Sequence, residues 1–337
     1  MKRHLILSTE RPNSYTPFMC FSARLLQDLQ ALSRLLGIPV DTEAFKALFR
    51  QRMEGSGAKI SRALEANFSD PQDTDAREIK SYIDQYRVAQ ATAWEQDLFK
   101  QKKRLADAQR SLKGKETKRA REDERIATNK IENFIDRLAD LRRRDVLPKD
   151  DRIFPMTYAP IAVNDNGELW IRPMRYGCRL QGKPANYDHR FPGTYNARRD
   201  NLNGFWSQVY GSRHAVMVVQ SFYENVPTHL YEGRELGPDE VEQNTVLYFQ
   251  PQPAQPMIVA CVWSPWSGKG EADLNSFAAV TDEPPPEIAA TGHQRCIIAL
   301  NENNVREWLS STKVSKQRLD EILSEPAQRY YEHQIAA

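Results

Sequence analysis

The sequence predicts an α+β protein: a mixed, mostly antiparallel, β-barrel-like core interrupted near its N-terminus by a long α-helical hairpin. Three observations carry this. Residues from about 23 to 147 hold apolar positions at helical spacing, the chain after Phe154 switches to short β-branched and aromatic runs, and Pro and Gly punctuate the second half far more than the first.

The elements follow in order. Leu25, Leu29, Leu32 and Leu36 form an apolar stripe stopped by Gly37 and Pro39, and Asp41-Thr42-Glu43-Ala44 offers capping oxygens ahead of Phe45, Leu48 and Phe49. After Asp70-Pro71, Ile79, Ile83 and Tyr86 recur at helical spacing, and Leu98, Leu105 and Leu112 recur every seventh residue. Gly114 interrupts that pattern. A second one, with Ile131, Phe134, Ile135, Leu138 and Leu141, runs to Pro148. Neither helix can bury its stripe alone, so the two should fold back as an antiparallel hairpin. Strands are expected at Ile161–Val163 and Leu169–Ile171 around an Asn164-Asp165-Asn166-Gly167 turn, then at 215–219, 245–249, 257–263 and 296–300. Short helices are expected at 304–309 and after Ser315. The division this implies is a lead of residues 1–18, an N-terminal core segment 19–22, a helical insertion 23–150 and the main core 151–337.

Composition narrows the function. Of 337 residues 40% are hydrophobic and 27% charged, with a formal net charge of only +2, so any nucleic-acid contact must come from a local concentration of Lys and Arg. No apolar run approaches the roughly 18–20 residues of a membrane span. The basic tip Met1-Lys2-Arg3-His4 leads into an apolar stretch too short for a signal peptide, so no membrane partner and a cytoplasmic location are expected. Cys20, Cys178, Cys261 and Cys296 form no CxxC pair, and no metal site is expected. The hairpin carries Lys102-Lys103-Arg104, Lys118-Arg119-Ala120-Arg121 and Arg142-Arg143-Arg144. These runs read either as a solvated face with acidic residues interspersed or as an arm that follows a phosphate backbone or binds a protein partner.

Few polar residues stand out as chemistry. Met19-Cys20 precedes the first helix, Asn196-Ala197-Arg198 follows a Pro192-Gly193 turn, Glu224 follows the apolar run 215–219, and His293 stands just before the run at Cys296. A Cys, a Glu and a His at strand or loop edges can build a nucleophilic site, although each is more often a surface or core residue.

Their order carries a resemblance. Tyr158-Ala159-Pro160, Pro173-Met174-Arg175-Tyr176-Gly177, Asn196-Ala197-Arg198, Phe222-Tyr223-Glu224, Val262-Trp263, Phe277–Thr281 and Gly292-His293-Gln294-Arg295, together with Met19-Cys20, resemble the SOS-response-associated peptidase family. The resemblance implies a compact barrel-like core with a positively charged groove for single-stranded DNA and no cofactor. It implies that Cys20, as an N-terminal residue, is the nucleophile, with Asn196, Glu224 and His293 around it. Arg198 matches a DNA-phosphate contact, and Arg175 and Arg24 are taken with it as DNA-binding.

On that reading the partner is single-stranded DNA containing an abasic site, whose open form carries an aldehyde. The activity is protein–DNA crosslinking. An N-terminal Cys is a 1,2-aminothiol: its amine forms an imine and its thiol then closes a thiazolidine ring. Its α-amino group titrates near 7.7–8.0 in model peptides, so a neutral fraction exists at physiological pH. Because an acylated amine cannot form the imine, the reading expects translation from Met19 or removal of residues 1–19. Phe21-Ser22 stands where Gly-Arg is commoner in the family, and Gln294 where Asp is. Two other readings remain open: a thiol peptidase acting in trans, and a non-catalytic DNA- or partner-binding module with a degenerate site.

Overall fold

The computed structural model describes residues 22–114 and 116–336; the expectations for residues 1–21, Met19 and Cys20 among them, lie outside the described residues. Strand β1 (Ser22–Leu25) opens the chain. Helix α1 (Leu29–Leu36) begins at Asp28, whose carboxylate accepts from the Ala31 N–H, and ends at Gly37 in the left-handed region, φ 61°. The predicted cap Asp41 starts α2 (Thr42–Met53) by accepting from Ala44 N–H. A short β2 (Lys59–Ile60) and α3 (Arg62–Ala66) lead to α4 (Thr74–Gly114) and α5 (Lys118–Arg142).

Helices α4 and α5 form the expected hairpin, turning at Gly114 and restarting at the cap Thr117. Their contact rests on small side chains: Ala108, Ala120 and Ala127 are buried, and the leucines of the heptad pattern only partly so. The basic runs are largely matched by acids: Arg104 and Arg119 face Asp123, Arg121 faces Glu116, and Arg142 faces Glu95. Exposed pairs of this kind stabilise by at most about 1 kcal/mol each, so they describe a solvated face more than a brace.

The rest of the chain is β-rich. It comprises β3 (Arg152–Ile153), β4 (Thr157–Asp165), β5 (Glu168–Tyr176), α6 (Tyr187–Arg190), β6 (Asn196–Arg198), β7 (His214–Pro227), α7 (Thr228–Tyr231) and β8 (Asn244–Gln252). Then come β9 (Met257–Trp266), β10 (Leu274–Asp282), α8 (Pro286–Ala289), β11 (Cys296–Ile297), α9 (Val305–Leu309), α10 (Lys316–Ser324) and β12 (Tyr330–Ile335). Five strands close a ring: β4 pairs β5, β5 pairs β10 in parallel, β10 pairs β9, β9 pairs β7, and β7 returns to β4. Closure leaves those strands with no free edge among themselves.

Alternation along these strands makes two cores. Ile161, Val163, Met174, Met217, Val259 and Cys261 point into the barrel, whereas Ala162, Ile171, Val216, Val218 and Ala260 point out against α1, α2, α4, α9 and α10.

Two elements differ from the sequence expectation. Leu25 continues the leucine spacing of α1 but belongs to β1, because its backbone pairs with Val219 of β7. The region after Ser315 contains α10 and then a strand, β12, which pairs with β8. The insertion between β1 and β3 is closed at its base. Ala23 pairs with Ile153, Arg24 holds Asp151 through two bonds of 2.9 Å, and Gln27 donates to the Asp151 carbonyl.

Candidate functional site

Strand β7 changes its pairing partner halfway, and that change places Glu224. Its first part, to Val219, lies against β9; its second, from Phe222, lies against β8. Between them the ladder to β1 slips, with Arg24 opposite Ser221 but Leu25 opposite Val219, so Gln220 is an extra residue. Ala215, Met217 and Val219 face the barrel interior before this bulge, and Phe222 and Val226 face it afterwards. Strict alternation from Val219 would send position 224 outward. The bulge turns it in, which is a recurrent use of bulges beside sites.

His293 reaches the same place from the loop after α8. Thr291 Oγ1 donates to the Ile288 carbonyl and closes that turn, and Gly292 follows at φ 89°. A Cβ at Gly292 would stand 2.8 Å from Leu230 Cβ, so glycine is needed both for the dihedral and for the space. The imidazole Nε2 lies 3.2 Å from Glu224 Oε2, and Nδ1 lies 2.6 Å from the Arg295 carbonyl. The Arg295 N–H also approaches Nδ1, at 3.3 Å, but the much shorter contact is to a carbonyl that can only accept, so Nδ1 is assigned the hydrogen and Nε2 and the Glu224 carboxyl share one further proton between them.

Asn196 arrives on β6, which runs parallel to β10 with Asn196 opposite Ala279. Its carboxamide oxygen accepts from the Thr281 hydroxyl, which fixes the amide orientation and leaves the NH2 to a ligand. Asn196, Glu224 and His293 line one small pocket with Tyr176, Tyr195, Ala279, Thr281 and Arg295. These three residues, expected together, are brought together. Sequence reasoning missed Tyr195, Thr281 and Arg295 as lining residues, although each stands in or beside a motif it singled out.

Electrostatics follow from burial. Glu224 is 4% exposed, and burial pushes its carboxyl above the ordinary value, an effect the His293 hydrogen bond and charge offset only in part. Burial opposes a charge on His293, but the Glu224 hydrogen bond and charge and the Arg295 carbonyl outweigh it, and the imidazole titrates above its ordinary value. Both shifts favour protons bound to the native state. Below the ordinary carboxylate value native and unfolded chains hold the same protons; above the raised imidazole value both have lost them. Between those limits the native state holds more, so the pair's contribution to stability falls as pH rises. Urea midpoints of wild type and of a Glu224→Gln, His293→Gln double variant, compared from about pH 4 to pH 8, should show the wild-type advantage shrinking with pH; a difference independent of pH would contradict the shared proton.

The other residues expected at the site are placed as follows. Arg198 is half exposed and donates to Asp200 at 2.6 Å, with Arg295 Nη2 3.6 Å from the same carboxylate; the Arg198 guanidinium holds Asp200 below the usual carboxylate range. Arg24 is committed to Asp151 at the base of the insertion. Arg175 is buried, donating to the Gly177 carbonyl at 3.0 Å and to Asp188 at 2.7 Å. Arg175 and Arg24 thus each have a carboxylate partner within the chain, Asp188 and Asp151. Cys178, Cys261 and Cys296 are buried thiols; burial pushes Cys178 up to about 12 and raises the other two as well. Such thiols are poor nucleophiles.

The chain thus combines a closed five-strand barrel with a carboxyl–imidazole pair and a carboxamide that line one pocket. The sequence profile of the SOS response associated peptidase (SRAP) family matches residues 117–336, and the chain belongs to that family. At family level this associates it with DNA in the SOS response, in a peptidase-like or abasic-site-binding role. No curated protein matches the chain. Similar solved structures include a protein from Bacteroides thetaiotaomicron, 12% identical over 55% of this chain and 77% of that one, with TM-score 0.44. Others are a protein from Bordetella bronchiseptica (14% identical, 58% and 90% covered, TM-score 0.44) and a phage-related protein from the same organism (18%, 58% and 85%, 0.42). Among the described residues no helix is long and apolar enough to cross a membrane.

Proposed function

We propose that this protein captures abasic sites in single-stranded DNA, forming a covalent thiazolidine between Cys20 and the sugar aldehyde. The observation that supports this most is the convergence of Asn196, Glu224 and His293 on one small pocket. The chain reaches that neighbourhood at Ser22, whose partner across the ladder is Tyr223, the residue before Glu224. Cys20 is two residues further on, a tether of at most about 7 Å.

The chemistry proceeds in balanced steps. The neutral Cys20 amine adds to the aldehyde carbon. The carbinolamine loses its hydroxyl as water, for which the proton shared by Glu224 and His293 is the natural donor, and the iminium nitrogen then returns its proton to that pair, leaving the neutral imine. The Cys20 sulfur then adds to the imine carbon as the thiol proton passes to nitrogen, closing the five-membered ring. A carboxyl and an imidazole that share a proton, both raised above their ordinary values, can give and take it. Asn196 orients the amine or the sugar without adding charge, and Arg198 beside Asp200 offers a phosphate contact at the mouth. The three buried thiols are held protonated, which favours Cys20 over them as the nucleophile.

The test uses protein whose first residue is Cys20, mixed with a single strand carrying one abasic site. A band that survives denaturant is expected, and Cys20→Ala should leave at most an imine that borohydride traps. Binding of the strand without any adduct in the unaltered protein would overturn the proposal.

A further inference from the structure

We propose that Arg152 seats a backbone phosphate of the strand, at the inner end of a basic cleft between the root of the helical insertion and the barrel. Lys59 and Lys149 extend the seat along that cleft. The inference rests on the reading above that single-stranded DNA is the ligand, and adds to it a site built by the insertion.

Arg152 lies on β3 opposite Arg24 of β1, and its Nε and Nη2 donate to Ser22 Oγ at 3.0 and 2.8 Å. The guanidinium therefore stands beside the point where the described chain begins its pairing with β7, one ladder position from Glu224. Its carbon lies 3.5 Å from the centre of the Tyr223 ring and 4.8 Å from that of Phe154, so the group has two aromatic rings as neighbours. Among the described residues no carboxylate lies within ion-pair distance of it. Its neighbours are different: Arg24 has Asp151, Arg143 has Asp140 and Asp150, and Arg52 and Arg87 share Glu65. A half-buried guanidinium without a counter-ion carries a desolvation cost that an incoming anion offsets.

The cleft around it has a surplus of the same sign. Six Lys and Arg side chains line it against three carboxylates, of which Glu65 already holds Arg52 and Arg87, and Asp140 and Asp150 hold Arg143. Arg62 is turned to the closing carbonyls of α5, donating to the Asp140, Leu141 and Arg143 oxygens, which fixes the end of α5 as one wall. Lys59 and Lys149 are exposed on the rim; Lys149 is 3.5 Å from Asp140 at its nearest. Phe154, also exposed, gives a π-face beside the seat. An unmatched cation, an elongated positive cleft and an open aromatic face together fit a phosphodiester chain with its bases.

The experiment measures binding of the full protein to a fluorescein-labelled, undamaged oligothymidylate of about 12 nucleotides by anisotropy across a salt series. No aldehyde is present, so binding is read without capture. Arg152→Gln should weaken binding on the order of tenfold and make the log–log salt slope shallower by about 0.7, the value for one phosphate on a single strand. Arg152→Lys should keep the slope while losing part of the affinity. A single neutral methylphosphonate, moved along the strand, should find one linkage that weakens the wild type but not Arg152→Gln. If Arg152→Gln proves unfolded by its urea midpoint, Arg152→Lys against the same methylphosphonate series decides. An unchanged slope in a folded Arg152→Gln, no linkage that separates the proteins, or equal competition by polyglutamate would overturn the phosphate seat. Loss of adduct formation on abasic strands with the slope change intact would overturn the covalent reading alone. Wild-type protein that does not bind the strand would overturn both.

Discussion

Replacing Glu224 by glutamine is expected to slow adduct formation with an abasic strand by about 10²–10⁴-fold while leaving strand affinity nearly unchanged. Glutamine keeps the shape of the buried side chain but cannot share a proton with His293 Nε2, which stands 3.2 Å from Glu224 Oε2. The dehydration of the carbinolamine then loses its acid. Affinity should be spared because the carboxyl is buried and the proposed phosphate contacts are made by other residues. The wild-type rate should also depend on pH near neutrality, because both groups of the pair are raised toward that range, and the variant's profile should lose part of this dependence. A quench-and-gel time course over several pH values reads both effects. A variant as fast as wild type at every pH would remove Glu224 from the mechanism and leave it a purely structural buried acid.

The second large effect is one of stability. Asp188→Ala should cost about 3–5 kcal/mol, read as a fall in urea midpoint. One oxygen of Asp188 accepts from Arg175 Nη2 at 2.7 Å and from Arg179 Nε and Nη2 at 2.9 and 2.5 Å, and all three residues are buried. Alanine would leave two buried guanidinium groups with no counter-ion; Arg179 would keep only the Trp266 face, 4.4 Å away. The carboxylate also ties α6 to the strand that ends at Tyr176, so the segment leading through Pro192-Gly193 to Asn196 should loosen and capture should slow as well. A loss below about 1 kcal/mol would mean that water or rearrangement compensates both arginines.

How much of this was legible in the sequence depended on whether the signal was local. The hairpin was, because Gly114 and the apolar periodicity on either side lie within one stretch of chain, and so was the Asn166-Gly167 turn between β4 and β5. Asn196, Glu224 and His293 were found by the order of motifs, not by any local rule. What escaped was set by partners far away. Leu25 mimics the first position of a leucine stripe until β7, nearly 200 residues on, claims it as a strand. The bulge at Gln220 has no composition of its own, yet it decides which way Glu224 faces. Arg175 sits in a family motif that suggested DNA, and nothing nearby in sequence announces that Asp188 will bury it. Arg152 stands in a two-residue strand, too short for any periodicity to mark.

The stitched base of the insertion has a consequence for how this protein can vary. With Ala23 beside Ile153 and Arg24 gripping Asp151, the two ends of a segment of more than 120 residues emerge side by side from the paired strands β1 and β3. Helices α1 and α2 and the start of α4 pack on the outside of the barrel. The hairpin beyond them is tied to it only as a closed loop, and the entropy of closing a loop grows only with the logarithm of its length, about 0.6 kcal/mol for each doubling. The outer turns of α4 and α5 can be shortened or extended in matched steps with little effect on the ring of strands or on the pocket inside it. The root is different: Arg62, Lys149 and Arg152 lie where arm and barrel share a surface. Natural relatives of this chain should accordingly differ freely in the reach of the arm and much less in those few residues at its foot.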